Sequence, residues 1–242
     1  SDLPVQNDCH LLLINDGQDL LKMSFERILS DLYLHNEINP VLCIGIHCGP
    51  DRKNEYGTVD IVDFKGRGSK AGLYEQFIFK EVFPLIRSKY KNISFKDHAF
   101  CGFSLGGLCA LDLVWRNSGI FTIAGVFSGS LWWRSKAHDA PDFDEDKDRI
   151  MQQLIRKGNF VPGLRFFFET GTLDETADRN NNGIIDSIDD TLSIIGELEQ
   201  KGYTEKDLAY LEMKDGRHDV ETWGRAFPDF LKWAYGKPQK FK

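Results

Sequence analysis

The sequence predicts an α/β fold with a mostly parallel central sheet and helices on both faces. Two patterns carry that expectation. Short apolar runs such as His10–Ile14, Val41–Ile46 and Ile123–Ser128 alternate with longer stretches of helical periodicity, the pattern of strands buried on both faces. In addition, Asp97–Val114 joins a strand pattern directly to a helix pattern through a glycine-flanked turn, which is how α/β sheets hand the chain from strand to helix.

The elements follow in order. His10–Ile14 is the first buried strand and ends in the turn Asn15-Asp16-Gly17; Leu20–Leu32 has helical periodicity. Val41–Ile46 is the second strand, followed by a loop with Gly49-Pro50. A polar, glycine-rich stretch, Asp63–Gly72, precedes a helix over Leu73–Tyr90 in which Pro84 predicts a kink. Ala99–Gly102 is a strand and Leu105–Trp115 a helix; Ile123–Ser128, Leu164–Glu169 and Leu208–Met213 are further strands. Ile188–Lys201 and Glu221–Tyr235 read as helices. Residues 132–163 break this rhythm with an adjacent tryptophan pair, an acidic stretch and a short helix over Arg149–Lys157. We read them as an insertion capping the C-terminal edge of the sheet, where open α/β folds bind ligands, within one domain spanning 1–242.

Bulk composition narrows the partners. A net charge of -7 argues against nucleic acid or an anionic membrane, and no apolar run approaches the ~20 residues that span a bilayer. The five cysteines have no paired spacing; they and the lack of a basic–apolar leader favour a cytoplasmic setting. The chain starts at Ser1 rather than Met, so a trimmed periplasmic or secreted protein stays open. The oligomeric state is not legible.

Gly102-Phe103-Ser104-Leu105-Gly106-Gly107 has the form of the nucleophile elbow of α/β-hydrolases. Ser104 at the tip of so sharp a turn requires small residues two positions to either side, and Gly102 and Gly106 supply them. A serine nucleophile needs a base, and the base an orienting acid. Of the two histidines that follow Ser104, His218 lies after the last strand in Gly216-Arg217-His218-Asp219, whereas His138 lies in the polar insertion. Asp174 stands just past the penultimate strand with Glu175 beside it, so either carboxylate could be the acid, or either could simply form the turn. The backbone N–H groups of Leu105 and of Gln18, after the first strand, are the expected oxyanion donors. Trp132, Trp133 and Phe103 would line a substrate pocket or else pack in the core. Arg52 and Arg67 would meet a substrate carboxylate or else be solvated.

These motifs resemble the α/β-hydrolase esterase family that groups esterase D, enterochelin esterases, feruloyl esterases, S-formylglutathione hydrolases and mycolyltransferases. The resemblance runs through Leu12–Gln18, Gly66–Ala71, Tyr74, Glu81-Val82-Phe83-Pro84, the elbow, Ser128–Trp133, Glu169–Asp174 and Gly216–Asp219 with Trp223. It implies Ser104 as nucleophile, His218 as base, Asp174 as acid, and Gln18 and Leu105 as oxyanion donors. The family carries further strands before the first strand seen here, so Leu3-Pro4 implies either a trimmed chain or a short N-terminal sheet edge. The expected function is hydrolysis of a small-molecule carboxylic ester (an acylated sugar, a feruloyl or a siderophore-like ester) through an acyl-enzyme. The alternatives are acyl transfer through the same intermediate and a non-catalytic binding domain.

Residues 178–189 have the spacing of an EF-hand-like calcium loop. Asp178, Asn180 and Asn182 occupy positions 1, 3 and 5, and Gly183 position 6; the Ile184 carbonyl, Asp186 and Asp189 complete the set. The expectation is a structural Ca²⁺, with no cofactor for catalysis; the alternative is a polar loop capping the next helix.

Overall fold

The computed structural model describes residues 6–238. Its sheet has six strands, β1 (Gln6–Asn15), β2 (Val41–Ile46), β3 (Ile93–Phe103), β4 (Ile123–Phe127), β5 (Arg165–Leu173) and β6 (Leu208–Arg217), in the order β2-β1-β3-β4-β5-β6. Every pairing is parallel, so all C-terminal strand ends share one edge of the sheet. The expected α/β fold is therefore the fold found. Leu3-Pro4, on which the short N-terminal edge was argued, lie outside the described residues. The edge strand on that side of the sheet is β2.

The helices are α1 (Phe25–Leu34), α2 (Arg52–Glu55), α3 (Ala71–Phe77), α4 (Phe83–Lys89), α5 (Leu105–Arg116), α6 (Glu145–Asp148), α7 (Ile150–Lys157), α8 (Asp186–Lys201) and α9 (Val220–Tyr235). They cover both faces, as the two-sided strands require. Leu11, Leu13, Phe100, Val126, Phe166 and Phe168 join the core under α3–α5, α7 and α8, whereas Leu12, Ile14, Ala99, Cys101, Phe127 and Phe167 join the core under α1 and α9. Side chains on a strand alternate between faces, and these runs are apolar at every position, so each strand feeds both cores.

Three boundaries differ from the sequence reading. Helix α1 begins at Phe25, not Leu20: Gly17–Asp19 form a 3₁₀ turn and Ser24 is left-handed at φ 55°. Leu20 is held by packing, its Cδ1 2.7 Å from where a Cβ on Gly45 would stand. The helix over 71–89 is one run interrupted by a π-turn, Ile78–Val82, just before Pro84; proline offers no N–H to the preceding turn, and the wider turn accommodates its ring. Strands β5 and β6 extend past Glu169 and Met213, pairing as far as Leu173 with Arg217. Residues 132–163 carry α6 and α7, with Met151 and Ile155 in the core.

Candidate active site

The elbow is built as its glycines require. Ser104 sits between β3 and α5 at φ 54°, ψ -121°, a strained conformation for a residue with a side chain. Its N–H donates to the Phe127 carbonyl at 2.8 Å, so the end of β4 holds the turn. A Cβ on Gly102 would stand 2.4 Å from the Gly106 carbonyl oxygen, and one on Gly106 2.6 Å from Asp16 Oδ2. The strand and the helix approach this closely only because both residues lack a side chain. The Ser104 hydroxyl lies 3.4 Å from that of Ser130.

Behind the elbow, the loop after β1 is fixed by a polar frame. Asn15 donates to the Gly106 carbonyl at 2.9 Å and accepts from the Tyr74 hydroxyl. Asp16, left-handed at φ 57°, donates its N–H to the Tyr56 hydroxyl at 3.2 Å. Arg52 grips both Asp16 oxygens at 2.7 Å and reaches the Phe103 carbonyl at 3.3 Å. Its charge thus orders the loop rather than standing free for a substrate. The Gln18 side chain bridges to Cys48, accepting from its N–H at 3.1 Å. The backbone N–H groups of Gln18 and Leu105 have no acceptor among the described residues, and the position of each at the start of a helical turn suits an oxyanion donor.

The candidate acid and base leave neighbouring strands at paired positions. Leu173 of β5 pairs with Arg217 of β6, and the next residues are Asp174 and His218. An irregular register with Asp215 at φ 59° sets this geometry. Asp219 then caps α9, accepting from Thr222 N–H at 2.8 Å, and Arg217 N–H donates to the Thr222 hydroxyl at 2.8 Å. The His218 ring stands edge-on to Trp223 with centroids 5.4 Å apart, and Trp223 Nε1 donates to the Ser128 hydroxyl at 2.9 Å. Burial against this wall pushes the imidazole below its ordinary value; the charge of Asp174 opposes that shift and Arg52 adds to it. The charge of Asp174 thus acts on His218, whereas Glu175 lines a cavity with Trp132 and Arg134. Both Asp174 oxygens are buried with no hydrogen-bond partner among the described residues, and desolvation raises this carboxyl.

The other expected residues fall in different places. Trp133 is fully buried, as is Phe103, stacked on Trp223 at 5.0 Å; both lie in the core alternative. Trp132 lines a cavity of about 480 Å³ together with Arg67, Arg134, His138 and Glu175. In the 178–189 loop, Asp178 accepts from the Asn182 and Gly183 N–H groups at 3.1 and 2.9 Å, and Asp189 accepts from Asn180 and Asn182 at 2.7 and 2.9 Å. Asp186 instead accepts from Arg179 N–H at 2.9 Å, and Ile184 is exposed. Among the described residues, no group of three or more His, Cys, Asp or Glu side chains gathers as a metal site; the donors gathered in this loop include two asparagines.

Sequence reasoning assigned no role to Glu169, which is fully buried at the end of β5 with both oxygens unpartnered among the described residues. Desolvation, with Asp174 adding to it, pushes its carboxyl up to about 8. Ser128, Tyr56 and Asn15 were likewise missed as framing residues. Ser128 and Asn15 lie in the runs Ser128–Trp133 and Leu12–Gln18 that carried the resemblance, whereas Tyr56 left no signal.

The chain is 24% identical over 233 residues to the uncharacterised protein YbbA of Bacillus subtilis (strain 168), covering 93% of this chain and 84% of that one. Its structure is similar to the siderophore hydrolase EstB of Aspergillus nidulans (TM-score 0.67, 17% identity, 96% of this chain and 84% of that chain). It is also similar to a ferulic acid esterase (TM-score 0.66, 15% identity, 95% and 85%) and to the enterobactin esterase FES of Shigella flexneri (TM-score 0.64, 17% identity, 92% and 52%). At these identities the structural likenesses show a shared fold. No helix among the described residues is long and apolar enough to cross a membrane. The model of the family described as "Putative esterase" matches residues 1–234, and the chain belongs to that family: it is a carboxylic ester hydrolase of the α/β class.

Proposed function

We propose that the protein hydrolyses its ester through an acyl-enzyme on Ser104. The observation that carries this reading is the strained Ser104 backbone at the elbow, together with N–H groups of Leu105 and Gln18 that have no acceptor among the described residues. His218 takes the Ser104 proton as the hydroxyl attacks the ester carbonyl. The oxyanion is held by the two N–H groups, and the proton passes to the leaving alcohol. Water, deprotonated by His218, then releases the acid. Asp174 stabilises the imidazolium that forms in each half-reaction. Catalytic hydrogen bonds are commonly long before substrate binds, and in the working complex His218 Nδ1–H turns to Asp174. Among esters, the names of the structurally similar proteins (siderophore hydrolase, enterobactin esterase, ferulic acid esterase) support an aromatic or siderophore-like acyl ester, for which Trp132 offers a stacking face. An acylated sugar is the remaining candidate.

The decisive experiment is labelling with a fluorophosphonate, read alongside p-nitrophenyl acetate hydrolysis. Wild type labels on Ser104, Ser104→Ala does not, and both Ser104→Ala and His218→Ala lose about 10⁴-fold or more in kcat. Unlabelled wild type, or His218→Ala labelled as fast as wild type, overturns the reading.

We also propose that the 178–189 loop holds a structural Ca²⁺ through Asp178, Asn180, Asn182, the Ile184 carbonyl, Asp186 and Asp189. An all-oxygen donor set suits a hard cation. The bond from Arg179 to Asp186 would have to yield to it.

A further inference from the structure

The Trp132 cavity is walled by two segments that follow residues of the candidate site in the chain. One follows Ser130 and includes Trp132 and Arg134; the other follows Asp174 and includes Glu175, Asp178 and Arg179. The three arginines there have different partners. Arg67 is bound to Asp63 at 2.7 Å, and Arg179 to Glu145 at 2.9 Å, to Asp186 at 3.3 Å and to Asp190. Arg134 has no carboxylate partner among the described residues. Its guanidinium lies 5.2 Å from the centroid of Phe64 and 5.9 Å from that of Trp132, so aromatic faces flank the planar group. Nη1 donates to the Trp132 carbonyl at 3.3 Å, Nη2 lies 3.3 Å from His138 Nδ1, and Nε is out of reach of water with no partner.

A half-buried cation left without a counter-ion costs free energy that a ligand anion can recover. Burial already pushes the Arg134 guanidinium down; Arg179 and Arg67 act in the same direction, and the more distant charges of Asp190 and Glu145 oppose it without pairing with it. We propose that this cavity is a carboxylate-binding subsite: the ester carries a carboxylate that pairs with Arg134 between Phe64 and Trp132. This rests on the reading of Ser104 as nucleophile only in naming the ligand an ester substrate. Beyond the bonds to the Trp132 carbonyl and His138, Nη1 and Nη2 of Arg134 each keep one N–H, and the two oxygens of a planar carboxylate can accept them. A doubly charged phosphate would bring more negative charge toward Glu175 and Asp178, which also line the cavity, and is disfavoured.

Two measurements test the proposal. The first compares kcat/KM for mono-p-nitrophenyl terephthalate against p-nitrophenyl 4-methylbenzoate (carboxylate on the acyl side), and for 4-acetoxybenzoate against p-tolyl acetate (carboxylate on the alcohol side). The charged-to-neutral ratio cancels the amount of folded enzyme. In one of the two pairs it falls about 10-fold or more in Arg134→Gln, and Arg134→Lys restores part of it. A ratio unchanged by Arg134→Gln in both pairs overturns the proposal. The second titrates 4-methylbenzoate calorimetrically into Ser104→Ala, with and without Arg134→Gln. The expected result is a Kd at least about 10-fold weaker without the guanidinium. Equal affinities, or no binding at millimolar concentration, overturn the subsite whatever the hydrolysis shows. Arg134-dependent binding in a protein that fluorophosphonate leaves unlabelled would instead remove the serine reading and leave the carboxylate site standing.

Discussion

At the scale of single residues, the site is governed by what burial does to ionisable groups. His218 acts as a base only when neutral, and burial against Trp223 lowers its value. The acid limb of kcat/KM is therefore expected below the ordinary histidine value of about 6.5. Trp223→Leu opens the ring to water and moves that limb upward; a limb that stays in place would separate the shift from the tryptophan wall. Glu169 has the opposite consequence for stability. Its carboxyl is raised from 4.5 to about 8 in the fold, so the folded state binds the proton more tightly than the unfolded chain. Its favourable contribution is complete below about 4.5 and is lost as pH rises to about 8. Glu169→Gln, which keeps the shape without the titration, should gain on wild type in unfolding free energy between pH 5 and pH 8.5. A constant difference between the two proteins over that range would show that Glu169 keeps its ordinary value.

At the scale of elements, the elbow and the loop after β5 were legible to different depths. Gly102, Ser104 and Gly106 could be read from six residues because the turn is local: sterics within a strand–helix junction dictate small residues around the nucleophile. Gly106→Ala puts a methyl 2.6 Å from Asp16 Oδ2 and disturbs the frame that orders Gln18. It is expected to cost about 1–3 kcal/mol by chemical denaturation and to lower kcat more than it raises KM. The start of α1 was not legible, since Leu20 and Met23 are placed by packing on Gly45 and Gly224, which lie far away in sequence. The 178–189 loop was legible as a spacing, and calcium is expected to raise the melting temperature. At 100 times its Kd the ion would stabilise the fold by about 2.7 kcal/mol. Magnesium should do so weakly, and Asp189→Ala should abolish the calcium effect; a melting temperature indifferent to calcium leaves the loop a helix cap.

At the scale of the whole molecule, a buried charge network ties residues 132–163 to α8. Arg149 and Arg179 converge on Asp190, which is almost fully buried, and Arg156 binds Glu197. Arg149→Ala removes one of two cations from that carboxylate and is expected to cost ~3 kcal/mol in unfolding free energy. Because Arg134 and Arg149 pair as an isolated bridge, it should also loosen the cavity wall and raise KM. What the sequence by itself determined are the properties set by neighbours along the chain: the parallel α/β class from doubly buried strands, the elbow from its glycines, and the chain order of Ser104, Asp174 and His218. What only the tertiary structure decided are the properties set by burial. Trp133 and Phe103 are core while Trp132 faces a cavity, because packing, not composition, chooses which aromatic meets solvent. Arg52 is committed to Asp16 and Arg134 is left without a counter-ion, because charges are paired by proximity in space. The charge of Asp174 acts on His218 while Glu175 lines the Trp132 cavity, because Asp174 and His218 follow directly on the paired Leu173 and Arg217 of β5 and β6.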